Sequence, residues 1–418
     1  MPRLSQISPT TLAALGVLAF CFLMTAIGRG TGESYAVFLL PLTAEFGWHR
    51  AEATSVYSFY MAATGLASPL AGIVFDRFGP RVSYGVGLTC LASGYFAAGW
   101  IDQLWQFQVA VGLFGGVGAA MVAIVPAQAL ISRWFERNMA TAMSLAYAAL
   151  GFGTLIVAPT AQIAIQAVGW RASYQGMGAV FLVLLPIILL MPWRRISGGA
   201  DGRGGRSKYQ SGDGPTLKQA FRMPAFWAFF VIFALTAVAV YGVSLQSVAY
   251  LVEQGFEELE AASAFGFAGM LSFAGMTLTG IAADRWGRAV VATASYSLTL
   301  IGIAALFLVQ AHPSFVLVVV FVIFFGLSMG ARGPIITTLI AKLFAGRGLG
   351  SIYGTVNLGQ GVGAAGGALM TGLLYDLTGG YDLGFAICAG AALIGIALFW
   401  MVPEIRTGRL GRNPAEDQ

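Results

Sequence analysis

Twelve apolar runs, each about 20 residues or longer, organise this chain. They lie near residues 12–40, 53–75, 82–100, 106–131, 139–167, 173–192, 226–251, 261–283, 289–310, 315–341, 350–375 and 384–402, with charged or turn-rich segments between them. About 20 apolar residues cross the hydrocarbon core of a bilayer as a helix. The expected fold class is therefore an all-α membrane protein with twelve transmembrane helices. Composition agrees: of 418 residues, 57% are apolar and only 10% are charged, against about 25% charged in an average soluble domain. The first run continues to about Leu40. That is too long for the apolar region of a cleavable signal, so it reads as a retained span.

Charge sets the expected orientation. All but four of the 23 Lys and Arg fall in segments on one side of such a bundle. The exceptions are Arg50 and Arg171 in loops of the other side, and Arg29 and Arg332 within spans. Cytoplasmic loops carry the excess of Lys and Arg. Both termini are thus expected in the cytoplasm, with the bundle in the lipid bilayer of the plasma or inner membrane. The net charge of +5 is then a topology signal and not a nucleic-acid footprint. Cys21, Cys90 and Cys388 lie inside apolar stretches and read as small core residues, which excludes a disulfide scaffold. His49 and His312 have no ligand cluster near them in sequence. No metal site is expected, and nothing calls for a cofactor.

The longest basic loop, 193–225, has the core SGGADGRGGRSKYQSGDGP. Such a sequence buries too little apolar surface to order itself. It reads as a linker between a bundle at 1–192 and another at 226–402, with a tail at 403–418. A basic loop of this kind also suits contact with anionic lipid.

The two halves repeat. GIVFDRFGPR at 72–81 matches GIAADRWGRA at 280–289, a shift of 208. EFGWHRAEA at 45–53 matches EQGFEELEA at 253–261, and LGFG at 150–153 matches LGQG at 358–361, each at the same shift. RWF at 133–135 nearly matches KLF at 342–344 at a shift of 209. A common shift at separate places implies two structurally related six-helix bundles.

The motif G-x-x-x-D-R-x-G after the second span, repeated after the eighth, resembles the signature of the major facilitator superfamily, and the resemblance covers essentially the whole chain. Its physics can be stated separately. Gly72 and Gly280 allow helices to approach closely. Gly79 and Gly287 suit a tight turn. Asp76 and Asp284, beside Arg77 and Arg285, can make charge-assisted hydrogen bonds and face a helix N-terminus. In the superfamily such contacts latch the cytoplasmic side of the outward-open state, which implies a gating role for Asp76, Arg77, Asp284 and Arg285. A surface turn with a local ion pair, worth about 0–1 kcal/mol, is the simpler reading.

Three ionisable residues lie well inside spans: Arg29, Glu33 and Arg332. An arginine at the bilayer centre costs about 2.5–3.5 kcal/mol on insertion scales, so each is expected to face water, a partner or a ligand. Arg29 and Glu33 are spaced i,i+4 on one helical face and can pair. Arg332 sits in GLSMGARGPIITT, where Gly330, Gly333 and Pro334 can interrupt the helix. In the resembled superfamily the first, fourth, seventh and tenth helices line a central cavity, which would place Arg29 and Arg332 toward it from opposite halves. A guanidinium can hold a carboxylate through two parallel hydrogen bonds. Glu33 is the candidate proton site, with a permanent salt bridge to Arg29 as the alternative. Tyr241, the counterpart of Glu33 at the 208 shift, and Tyr353 and Asn357 are candidate substrate donors, since their helices border that cavity in the superfamily. Gln246, Gln128, Tyr147 and Gln360 also lie in spans. GQGVGAAGG at 359–367 lacks the Lys-Ser/Thr and the preceding strand of a phosphate loop, and reads as small-residue helix packing.

The segment YAVFLLPLTAEFGWHR, followed by a polar-aromatic helix and DRFGPR, resembles the monocarboxylate transporter and oxalate–formate exchanger branches. Those branches commonly carry a functional arginine in the eighth span; here ASAFGFAGMLSFAGMTLTGIAAD has no basic residue. The expected function is secondary active transport of small organic anions, foremost monocarboxylates, by alternating access with a proton as coupling ion. The alternative is a proton-coupled exporter of lipophilic cations or drugs, with Glu33 as counter-ion. No nucleophile–base pair appears, so an enzyme is not expected.

Overall fold

The computed structural model of the protein describes residues 9–135, 139–197, 215–344 and 349–407. Among them every regular element is a helix. In chain order these are α1 (Pro9–Glu33), α2 (Tyr35–Phe46), α3 (Arg50–Phe78), α4 (Pro80–Ala98), α5 (Leu104–Phe107), a π-helical stretch (Gln108–Phe114), α6 (Gly115–Val122), α7 (Ile124–Trp134), α8 (Met139–Leu190), α9 (Trp193–Ser197), α10 (Leu217–Ala220), α11 (Pro224–Glu253), α12 (Glu258–Trp286), α13 (Arg288–Ala311), α14 (Phe315–Met329), α15 (Arg332–Leu343), α16 (Leu349–Thr378), α17 (Asp382–Met401) and α18 (Pro403–Thr407). The expected linker and tail are thus partly helical at α9, α10 and α18, and the last two linker residues begin α11; residues 198–214 and 408–418 lie outside the described set.

All twelve expected spans are helical, although only eight helical stretches among the described residues are long and apolar enough to cross a bilayer. The difference has local causes. Leu145–Leu190 holds the fifth and sixth spans, which part at Gly169 (φ 81°, ψ 163°). The tenth span is cut at Gly330, so α14 is short. α4 and α16 are long enough but rich in Gly, Ser and Thr. Large apolar side chains stay uncovered, Leu190 at 82% and Leu377 at 73% exposure, as a lipid-facing surface requires.

Among the described residues six glycines hold a positive φ, and all six sit where one span turns into the next: Gly47, Gly79, Gly169, Gly255, Gly287 and Gly379. Gly79 (φ 83°) and Gly287 (φ 88°) are the turn glycines of the repeated D-R-x-G motif. A side chain at such a φ is strained. Gly47/Gly255 and Gly79/Gly287 keep the 208 shift, whereas Gly169/Gly379 are 210 apart.

Helix packing locates the added residues. A Cβ on Gly153 of α8 would lie 2.1 Å from the Ala26 carbonyl oxygen of α1. A Cβ on Gly363 of α16 would lie 2.1 Å from the Ala234 carbonyl oxygen of α11. Ala26 and Ala234 differ by 208, but Gly153 and Gly363 differ by 210. The LGFG/LGQG match is therefore two residues out of structural register. The 209 shift of RWF/KLF is half of the same slip.

Contacts divide the chain into two compact units, Met1–Ser207 with Phe256–Met270, and Lys208–Gly255 with Leu271–Gln418. The first part of α12 thus groups with the first unit. Within that unit Gln162 donates to a Glu258 carboxylate oxygen at 2.7 Å, and a Cβ on Gly151 would strike the Gly269 carbonyl. The second unit packs α11 against α16 through Gly359, Gly363 and Gly367, spaced four apart on one face, around a core that includes Phe226, Phe229, Tyr296, Ile336 and Phe399. Small residues in that row let two backbones touch.

Candidate substrate and proton site

The first unit builds a polar triad inside its apolar helices. Arg29 and Glu33, one turn apart on α1, form an ion pair of 2.9 Å, with side chains 16% and 10% exposed. Tyr57 on α3 donates its hydroxyl to the other Glu33 carboxylate oxygen at 2.7 Å. Met61, one turn beyond Tyr57, places its sulfur 3.8 Å from an Arg29 Nη. Arg29 on one helix and Tyr57 on the facing one thus satisfy the carboxylate from both sides, as a buried charge demands. Aromatic rings close the surroundings. Tyr57 stacks on Tyr60 at 5.8 Å and on Tyr35 at 6.2 Å, and the Tyr35 hydroxyl is tied to the Ala53 carbonyl. Gly32 leaves room for the Tyr60 hydroxyl, which a Cβ would meet at 2.0 Å.

The second unit holds its cation differently. Arg332 is the first residue of α15, after the break at Gly330 and Ala331, and is 1% exposed. One Nη donates to Thr299 Oγ1 at 2.9 Å and the other to the Ser328 carbonyl at 3.2 Å. The guanidinium lies over the Tyr296 ring at 4.4 Å, and Tyr296 shares a 2.6 Å hydrogen bond with Thr236. Nε has no protein partner, and among the described residues no carboxylate pairs with Arg332. A ring face and neutral oxygens offset part of the desolvation, and no acid among the described residues balances the charge.

The other expected residues are spread through the two units. Tyr241 on α11 is half-buried. Tyr353 on α16 is half-buried, its hydroxyl 3.4 Å from Thr337 Oγ1, and Asn357 lies one turn further along the same helix. Arg77 is exposed and lies over the Phe78 ring at 5.5 Å, and Arg285 is exposed. The side chains of Asp76 and Asp284 lie outside the described set. Sequence reasoning missed Tyr57. The available signal was the Tyr57, Tyr60 and Met61 face of the second span, whose i,i+3 and i,i+4 spacing matches that of Arg29 and Glu33.

The EFGW motif also gains a physical account. Phe46 and Trp48 stack at 4.5 Å, and both pack on Phe107. Glu45 accepts hydrogen bonds from the Trp170 indole and from Arg171, whose second Nη reaches Asp102 at 2.6 Å. Charge and rings clasp three turns of the first unit at the end opposite Gly79.

The sequence profile described as Major Facilitator Superfamily matches residues 18–310 and 272–418. The chain belongs to the major facilitator superfamily. Monocarboxylate transporter 13 of Bos taurus is 26% identical over 392 residues, covering 93% of this chain and 89% of that protein. An uncharacterized MFS-type transporter of Bacillus subtilis (strain 168), YcxA, is 24% identical over 387 residues, covering 89% and 91%. The crystal structure of the nucleoside transporter NupG superimposes with a TM-score of 0.72 at 13% identity, over 93% of this chain and 99% of that one. The D-xylose-proton symporter gives 0.69 at 16% identity, over 96% and 99%. At such identities the two structures show a shared fold. This superfamily member is a multi-pass membrane transporter and not an enzyme.

Proposed function

We propose that this transporter carries small organic anions, foremost monocarboxylates, by alternating access, with a proton as coupling ion. The observation that carries the reading is the uneven charge balance inside the spans: Glu33 offsets Arg29, while Arg332 has no acid among the described residues. An uncompensated cation within the bilayer attracts a carboxylate and repels a lipophilic cation. The similarity to a relative named monocarboxylate transporter supports the same class. In this proposal Arg332 is the main anion anchor. Arg29 shares that role when Glu33 takes up the proton, and Tyr241, Tyr353 and Asn357 donate to the substrate. Asp76, Arg77, Asp284 and Arg285 latch the basic side, which faces the cytoplasm of a plasma or inner membrane.

The test is uptake into proteoliposomes of labelled lactate, pyruvate and oxalate against a lipophilic cation, with and without an imposed pH difference. Monocarboxylate accumulation driven by the pH difference is expected. Arg332→Gln should reduce it at least tenfold. Glu33→Gln should retain substrate exchange but lose pH-driven accumulation. Transport of the cation alone overturns the anion reading and favours the exporter with Glu33 as counter-ion; undiminished carboxylate uptake by Arg332→Gln overturns the assignment of Arg332 as the anchor.

A further inference from the structure

A groove of about 550 Å³ runs along the outside of the first unit between α4 and the last turns of α8. Its walls on α4 follow the helical repeat: Arg81 at one end, then Gly85 and Val86, then Cys90. Leu185 and Leu189 of α8 form the opposite wall. Gly85 is buried at the floor, where a Cβ would sit 3.0 Å from Leu189 Cδ2. From Arg81 to Cys90 the rise is roughly 13 Å. That is close to the depth of one leaflet, half of the ~30 Å hydrocarbon core. Apart from Thr89, whose hydroxyl is tied to the Gly85 carbonyl, the groove is apolar except at one end, and that end is basic.

A second element adds charge there. α9 folds back so that Trp193 stacks on Tyr84 at 5.7 Å, and its indole donates to the Ile188 carbonyl. Tyr84 is within one turn of Arg81. The exposed Arg194 and Arg195 follow Trp193 directly and therefore emerge at the Arg81 end. Arg133 donates to the Ser197 carbonyl at 3.3 Å and holds α9 in this position. Among the described residues no salt bridge occupies Arg81, Arg194 or Arg195.

We infer that this groove is a binding site for one anionic glycerophospholipid, with an acyl chain between α4 and α8 and the phosphate among Arg81, Arg194 and Arg195. Three cations at headgroup level above an apolar slot one leaflet deep match such a lipid in both shape and charge. A zwitterionic lipid of the same chains fills the slot but brings its own cation to the arginines. Each arginine near a membrane surface is worth about a fivefold preference for negative charge.

The test is native mass spectrometry of the full-length protein in detergent, titrated with phosphatidylglycerol or with phosphatidylcholine of identical chains. Preferential retention of phosphatidylglycerol is expected. Arg81→Gln should lower its affinity about fivefold, and the Arg81→Gln/Arg194→Gln/Arg195→Gln variant further, while phosphatidylcholine binding stays unchanged. Gly85→Leu fills the floor and should weaken both lipids; if it does not fold, Val86→Trp narrows the slot from its rim. Equal binding of the two lipids by the wild type, or unchanged phosphatidylglycerol binding in the triple variant, overturns the site.

Discussion

The two units solve one problem in opposite ways. Each holds an arginine among apolar helices, Arg29 half-buried and Arg332 buried. The first pairs Arg29 with Glu33 at 2.9 Å and caps the carboxylate with Tyr57. The second lays Arg332 over Tyr296 and gives it only neutral oxygens. A repeat can thus preserve helix arrangement while the charge it carries diverges. Tyr241 stands where the 208 shift would put a second Glu33. The first unit therefore balances its cation within an ion pair. The second holds a cation that has no acid partner among the described residues.

The contrast breaks most visibly in stability. Glu33→Leu leaves the half-buried Arg29 without its carboxylate and should cost up to about 3 kcal/mol, read as thermal unfolding in detergent. The double variant Arg29→Met/Glu33→Leu should regain most of that loss, because no uncompensated charge remains. Arg332→Met removes a cation that has no carboxylate among the described residues, so its stability should equal or exceed that of the wild type. If Arg332→Met is as destabilised as Glu33→Leu, the ring and hydroxyl partners compensate the charge fully, and the proposed anion attraction loses its basis.

Next in size are the backbone contacts. Gly153→Val and Gly363→Val each drive a side chain into a carbonyl oxygen of the neighbouring helix. Each should cost about 1–3 kcal/mol or more. Gly366 lies on the same helix as Gly363, but a Cβ there meets nothing within 4 Å. Gly366→Ala should therefore stabilise by about 0.4–1 kcal/mol, through helix propensity and a less free unfolded chain. Comparable losses at Gly153 and Gly363 would support the 210 register. A loss at Gly153 alone would limit the repeat to the first four spans of each half.

The fold was legible because its strongest determinants are local. Long apolar runs demand spanning helices, and the turn glycines of D-R-x-G stand in the sequence. The two-residue slip was legible only in part, through the 209 shift of RWF/KLF. In a glycine-rich helix a short match such as LGFG/LGQG aligns in more than one register, and only the contact of Gly363 with Ala234 decides. The Arg29–Glu33 pair could be read from i,i+4 spacing. Tyr57 and the Arg332 partners could not, since Tyr57 is 24 residues from Glu33 and Thr299 is 33 residues from Arg332. Helix packing brings those groups together, and no local rule encodes it.

The smallest expected effect tests the comparison at the far end of each unit. Glu45 and Glu253 share the 208 shift, each at the end of its helix. Glu45 accepts from the Trp170 indole and pairs with Arg171, a cation that also stacks over the Trp170 ring at 4.3 Å. Glu253 accepts from the hydroxyls of Tyr375 at 3.2 Å and Tyr381 at 3.0 Å. Both sites are reached by solvent, and the Glu45 and Arg171 side chains are 43% and 35% exposed. Either Glu→Gln change should therefore cost no more than about 1 kcal/mol. The difference should lie in salt dependence. Screening weakens an exposed ion pair and leaves a hydroxyl–carboxylate bond nearly untouched. The cost of Glu45→Gln should shrink as salt rises from 10 mM to 1 M, while that of Glu253→Gln stays flat. A flat salt dependence at both would mean that Arg171 contributes through its stacking on Trp170 and not through its charge, and the two ends would then be aromatic clasps of one kind.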